Sequence, residues 1–365
     1  MKVLVASITD SGVFRVRKEI ITELIRQGHS ITVVTPSGND THKLFDLGCH
    51  FIPIKINGHG TNPIQDLGVY CYFKKILKAE MPDIVLTFTP KPNVYCSIAC
   101  RNLQIPVIMN ITGLGTALAN PGYKQKILLF LYRLATKNIY RIFFQNSYNL
   151  QFFKERNLGE EKSYWLLPGS GVNLSEYKYQ EYPKSDNTIN LLFIARIQKS
   201  KGIDQYLDAA RSIRKTHPKV IFHVLGNCDA TYEPIIAKAH KECIINYHGR
   251  VSNVLEFQAK SHATIMPSYY PEGVCNVLLE AAATGRPIIT TNHPGCRETV
   301  DDGITGFIVE KKDSQGLIRA IETLLSMSNE ERAEMGRKGR KKMERKFDRN
   351  IVVKAYVDSV NKLNE

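Results

Sequence analysis

The chain has 365 residues, 43% hydrophobic and 23% charged, with 49 Lys/Arg against 35 Asp/Glu and a formal net charge of +14. This is the composition of a soluble globular protein, and it excludes a disordered or fibrous chain. It also excludes a spanning helix, since no apolar run approaches the ~20 residues a bilayer requires.

The length suits two domains. The opening apolar run, residues 3–8, is too short for a signal peptide and has no cleavage pattern after it, so a cytoplasmic protein is expected. In chain order, residues 3–8, 30–36, 50–56, 83–89, 106–112, 141–146 and 164–167 read as short strands that are apolar on both faces. Helical patterns such as 14–27 and 127–137 lie between them. This alternation predicts a doubly wound parallel sheet. A turn-rich Pro168-Gly169-Ser170-Gly171 follows, then a polar stretch over 177–188, and together they mark a domain junction. A second series has strands at 189–196, 220–227, 244–250, 263–268, 287–292 and 305–310. The chain then runs into helices, one of them very basic (332–346). The predicted division is 1–168, 169–349 and a helix in 350–365 returning to the first domain. Two such domains bind a ligand between them, near the carboxyl ends of their strands.

None of the eight cysteines forms a C-x-x-C pair, and they read as small buried hydrophobes in a reducing compartment rather than zinc ligands. The positive excess lies mostly in residues 1–180, where it would attract an anionic surface.

The densest chemistry lies in 268–288. A strand ends at Ser268, Gly273 follows, and an apolar helix begins. Amides at a helix start are open to an anion. Glu272 precedes the helix and Glu280 lies two turns along the same side. One carboxylate can accept hydrogen bonds from a sugar and the other can hold a vicinal diol such as ribose, with a diphosphate between them.

This segment resembles the E-x7-E motif of the family 4 retaining glycosyltransferases. Four more elements resemble that family in order: Ile194-Ala195-Arg196 with Lys199-Ser200-Lys201-Gly202, Val224-Leu225-Gly226-Asn227, His248-Gly249-Arg250-Val251, and Asp302-Gly303-Ile304-Thr305-Gly306-Phe307. The resemblance implies an α/β chain of the GT-B fold, two doubly wound Rossmann-like domains facing a central cleft. It implies that Arg196 and Lys201 hold the donor diphosphate, Glu272 contacts the donor sugar, and Glu280 binds ribose. The amides of Gly273, Val274, Cys275, Asn276 and Val277 would cradle sugar and phosphate, and Arg250 would line the donor site. No metal or cofactor is expected, because fixed cations and amides can neutralise the departing nucleotide diphosphate.

The first half departs further from the family pattern. After the first strand only Gly12 stands where glycines approach the donor phosphates, and Thr112 replaces a histidine that meets the donor sugar in many members. Residues 87–95 and 110–115 resemble bacterial enzymes of capsule, O-unit and bacillosamine-glycan assembly, which extend polyprenyl-diphosphate-linked sugars, several of them from UDP-N-acetylhexosamines. That resemblance implies a UDP-sugar donor, a polyprenyl-diphosphate acceptor, and acceptor contacts by Lys91, Asn93, Thr112 and Arg15. It also implies a peripheral position on the inner face of the cytoplasmic membrane. Arg15, Arg17 and Lys18 cluster near the first loop, and 123–137 is apolar with basic flanks. The latter suits either an interfacial helix or a core helix with a basic rim. The run 337–342 reads as a solvated helix face.

Attack on the same face as the leaving nucleotide is expected, since no carboxylate nucleophile is evident. A UDP-sugar epimerase of the same fold and a non-catalytic nucleotide-sugar-binding subunit are the alternatives. Nucleic acid is not an expected partner, because no RNP, KH or helix-turn-helix signature accompanies the charge. The absence of a G-x-G-x-x-G after a strand argues against a nicotinamide dehydrogenase.

Overall fold

The apolar runs of the first half become β1 (Lys2–Ala6), β2 (Ser30–Thr35), β3 (His50–Pro53), β4 (Ile84–Phe88), β5 (Val107–Ile111), β6 (Arg141–Phe144) and β7 (Tyr164–Leu166). They form one parallel sheet in the order β3-β2-β1-β4-β5-β6-β7. The second half supplies β8 (Ile189–Ile194), β9 (Val220–Leu225), β10 (Asn246–Tyr247), β11 (Ala263–Met266), β12 (Ile288–Thr291) and β13 (Gly306–Val309). These form a second parallel sheet, β10-β9-β8-β11-β12-β13. The computed structural model describes residues 1–56, 63–184 and 188–363. Residues 185–187 of the junction stretch and 364–365 of the returning segment lie outside the described residues.

The chain divides into two compact units, Met1–Ser170 with Asn350–Glu365, and Gly171–Arg349. In the first, both sheet faces are covered. Val3 and Val5 of β1 belong to one apolar cluster, while Leu4 and Ala6 belong to the other. Strict alternation into two cores is why these strands are apolar throughout. Part of the Val3/Val5 face is closed by the helix Arg349–Asn361, through Val352, Tyr356, Val357 and Val360. Tyr356 meets Phe143 edge-on at 4.6 Å, and its hydroxyl accepts a 2.6 Å hydrogen bond from Asn110. In the second unit, Leu191 and Phe193 of β8 enter the main core, and Leu192 and Ile194 enter a smaller cluster on the opposite face.

The basic run 337–342 is only partly solvated. In the helix Asn329–Lys346, Arg340 donates to the carbonyls of Tyr177 and Ala283, at 2.7 and 2.9 Å. Lys342 is buried and paired with Asp301 at 2.9 Å. Cysteine burial also differs from expectation, since Cys71 and Cys243 are exposed. Among the described residues no helix is long and apolar enough to cross a membrane, and no His/Cys/Asp/Glu cluster could hold a metal.

Candidate functional site

In each sheet the strand order reverses once, between β1 and β4 in the first unit and between β8 and β11 in the second. Loops leaving the carboxyl ends of such neighbours diverge and leave a crevice. In the second unit, β8 runs into Ala195-Arg196-Ile197-Gln198, a 3-10 turn (Lys199–Lys201) and the helix Ile203–Thr216. β11 runs through residues 267–275 into the helix Asn276–Ala283.

The two loops are held together by backbone. Tyr269 N donates to Ser200 O at 2.9 Å. Gly202 joins turn and helix with φ +80°, and a Cβ there would lie 2.1 Å from the Pro267 carbonyl oxygen. Only glycine combines that backbone with that approach. The loop after β12 supports the other side. Cys275 N donates to Gly295 O at 2.8 Å, and Gly295 N donates to the Glu298 carboxylate at 2.7 Å.

This framework brings Lys201 and Glu272 into a direct ion pair, with side chains 14% and 19% exposed. The Lys201 ammonium also lies over the Tyr270 ring, 4.9 Å from its centroid. Burial works against the ammonium, but the adjacent Glu272 carboxylate outweighs it, aided by nearby Cys275 and Cys296, so the Lys201 pKa is raised. Arg196 and Arg250 are exposed, and neither has an ion-pair partner among the described residues. The helix Asn276–Ala283 has no side-chain cap at Cys275. Among the described residues nothing accepts from the amides of Val274, Asn276 and Val277. The Cys275 amide is different, being committed to Gly295, so the expected five-amide cradle loses that member. Glu280, half-buried further along, takes a hydrogen bond from the Tyr177 hydroxyl. Burial, then the Glu280 charge, raises the Tyr177 pKa, so the phenol stays a donor.

The first unit carries the remaining expected residues. Gly12 belongs to a capped helix start. It lies in the first turn of the helix Asp10–Arg26, and its amide is capped by the Thr9 hydroxyl at 3.1 Å. The same helix start is already neutralised by the buried Asp10, which accepts from Ser11 N, Asp40 N and Thr41 Oγ1. Arg15 is exposed and 3.8 Å from Asp40. Arg17, by contrast, is 5% exposed, stacks over Phe88 at 4.5 Å and donates to Ser170, so it adds nothing to a surface patch.

Asn93 also departs from its expected role. It is 1% exposed in the π-helical turn Pro92–Cys96 and donates to Asn110 O at 2.8 Å, which makes it a brace between β4 and β5. Lys91 lies near the carboxyl end of β4, paired with Asp66 at 2.8 Å. The preceding Thr89 has φ +74°, a strained value for a β-branched residue at a strand-order reversal. Thr112 is half-buried just beyond β5.

Three participants were not anticipated: Asp66 holding Lys91, Tyr177 holding Glu280, and His293. The His293 ring bonds the Tyr270 backbone within electrostatic reach of Glu272. Burial, then the Lys311 ammonium, lowers its pKa. A histidine in His-Pro-Gly at a strand end was the available signal for the last. The other two rest on contacts between residues far apart in the chain.

Comparisons with known proteins identify the family and the fold. Residues 176–342 match the model for glycosyl transferases group 1, and residues 2–146 match the glycosyl transferase 4-like model. The chain is 25% identical over 375 residues to the N,N'-diacetylbacillosaminyl-diphospho-undecaprenol alpha-1,3-N-acetylgalactosaminyltransferase of Campylobacter jejuni, covering 98% of this chain and 97% of that enzyme. It is 27% identical over 354 residues to the capsular polysaccharide biosynthesis glycosyltransferase CapM of Staphylococcus aureus, covering 90% and 89%. Among solved structures, a glycosyltransferase from Rickettsia africae superposes with a TM-score of 0.80 at 18% identity, over 100% of this chain and 98% of that one. Anabaena HepE in complex with UDP-glucose superposes with a TM-score of 0.81 at 14% identity, over 99% and 100%.

Proposed function

Because the chain belongs to the GT-B-fold glycosyltransferases of bacterial capsule and O-unit assembly, we propose that it moves an N-acetylhexosamine from a UDP-sugar to a polyprenyl-diphosphate-linked saccharide, with retention at the anomeric carbon. The carrying observation is the shielded Lys201–Glu272 pair beside an uncapped helix start at the strand-order reversal of the second unit.

An arriving diphosphate competes with Glu272 for Lys201. Once the ammonium has turned to phosphate, the Glu272 carboxylate is released to accept from the donor's sugar hydroxyls. Arg196 and the Val274, Asn276 and Val277 amides add to the neutralisation of the leaving group. Such preorganised charge is worth most where water is excluded. Glu280, oriented by Tyr177, holds the ribose diol. Thr112 and Lys91 meet the acceptor; Thr112 can exchange a hydrogen bond but cannot act as a base near neutral pH. The acceptor hydroxyl attacks from the face the nucleotide leaves, passing its proton to the departing β-phosphate. The anomeric C–O bond to phosphate breaks as the bond to the acceptor oxygen forms.

Nucleotide release from UDP-, GDP- and ADP-sugars, with and without a short polyprenyl-diphosphate sugar, tests this reading. Release from one UDP-sugar only with acceptor, undiminished by EDTA and lost in Glu272→Ala, is expected. Acceptor-independent conversion of the sugar would instead identify an epimerase. A covalent glycosyl-enzyme accumulating in a single turnover would refute same-face attack.

A further inference from the structure

The helix Tyr123–Ala135 follows β5 and the Thr112 loop in the first unit. Its inner side is a core surface, with Tyr132 and Ala135 buried and Leu128, Leu129 and Leu131 packed beside them. At 100° per residue its opposite side should be polar. Instead that side carries Tyr123, Ile127 and Phe130, which are 71%, 56% and 57% exposed. These positions, i, i+4 and i+7, form a single stripe directly across the helix from Tyr132. Lys126 and Arg133 flank the stripe on one side and Lys124 on the other, all exposed. No acidic residue occurs between 123 and 137, and Lys137 adds a fourth cation just beyond the helix.

A core helix with a basic rim would expose the rim alone. Exposed apolar side chains bordered by cations on both edges match a bilayer's interface, where a hydrophobic boundary lies beneath anionic headgroups. We infer that this outer stripe is a docking surface for an anionic lipid bilayer, with Tyr123, Ile127 and Phe130 entering the headgroup–acyl boundary and Lys124, Lys126 and Arg133 meeting lipid phosphates. A parallel sheet requires the β5–β6 connection to run back from the carboxyl edge. Tyr123 therefore lies at the Thr112 end, so membrane contact begins near the end of the unit proposed to receive the acceptor. The inference is independent of which sugar is transferred, and vesicle binding by these side chains would stand even if the acceptor proved soluble.

The test is co-sedimentation of the full chain with vesicles of phosphatidylcholine alone or mixed with phosphatidylglycerol. Binding to the mixed vesicles is expected. Tyr123→Ser/Ile127→Ser/Phe130→Ser should lower the partition coefficient at least about tenfold. Lys124→Gln/Lys126→Gln/Arg133→Gln should erase the preference for anionic vesicles, at about fivefold per cation. Parent-like far-UV circular dichroism and a parent-like cooperative melting transition in both variants confirm that the first unit folds. Equal binding by the serine variant and the parent would overturn the inference, as would failure of the parent to bind. A parent that forms dimers dispersed by the serine substitutions would overturn it too, assigning the stripe to a second copy of the chain. Should the serine variant not fold, wild-type binding by the glutamine variant is sufficient to refute it.

Discussion

If Lys201 must leave Glu272 to take the donor diphosphate, removing the competitor should tighten binding of UDP itself. Glu272→Gln keeps the side chain's size while discarding the charge. The pair is largely shielded, at 14% and 19% side-chain exposure, so the lost contact is a charge-assisted hydrogen bond worth about 1.5–3 kcal/mol. UDP has no transferable sugar with which to profit from Glu272. Its Kd should therefore fall about tenfold or more, while sugar transfer is lost. Lys201→Met should weaken UDP by a similar factor. It should also cost about 1–2 kcal/mol of stability, less than a fully buried pair would lose, because the 19% of the Glu272 side chain that stays exposed lets water reach the carboxylate. Adding Glu272→Gln to Lys201→Met should recover that stability without restoring UDP affinity, a non-additivity that a double-mutant cycle isolates. Calorimetric titration with UDP and thermal unfolding of the four proteins supply the numbers. A Glu272→Gln protein that binds UDP no more tightly than the parent would refute the exchange. A Lys201→Met protein with unaltered UDP affinity would remove Lys201 from the phosphate site altogether.

Further outcomes follow from the framework. Gly202→Ala should destabilise the second unit by about 2–4 kcal/mol, since a Cβ there meets the Pro267 carbonyl and the backbone is left-handed; a melting curve measures it. Tyr356→Phe leaves the buried Asn110 amide without its acceptor and should cost about 1–3 kcal/mol, read by denaturant unfolding. Burial, then the neighbouring His248, holds His223 down to about 4 from its ordinary 6.5. The unfolded chain therefore binds the extra proton first, so stability should be full above pH 6.5 and fall progressively toward pH 4. His223→Gln should flatten that part of the pH–stability curve.

The strands were legible because each is apolar on two faces over a few residues and bounded by turn formers. Their ends were less so. The stretch 244–250 shortens to Asn246–Tyr247, an edge strand with one neighbour, ahead of the left-handed Gly249. The second unit's loop residues stood out because five short elements in order, from Ile194-Ala195-Arg196 to Asp302–Phe307, resemble one family's motifs. The first unit was harder. Thr9 and Gly12 can be read from sequence as a phosphate loop or as a helix cap, and the cap became visible only with the 3.1 Å bond between them. Asn93 and Arg17 looked like surface polar groups because their partners, Asn110 and Ser170, are distant in sequence. Nothing local marks a side chain as a brace.

The helix Arg349–Asn361 gives this protein an unusual order of assembly. The first sheet leaves the ribosome early, but Val3, Val5 and Phe143 lack part of their cover until Val352, Tyr356 and Val360 have been made. Between them lies the whole of Gly171–Arg349. At bacterial translation speeds of ~5–20 residues per second that interval lasts on the order of ten to forty seconds. During that time a nascent first unit carries an uncovered apolar face and is a natural client for ribosome-associated chaperones. A frameshift late in the gene would accordingly spare the second unit and disable the first.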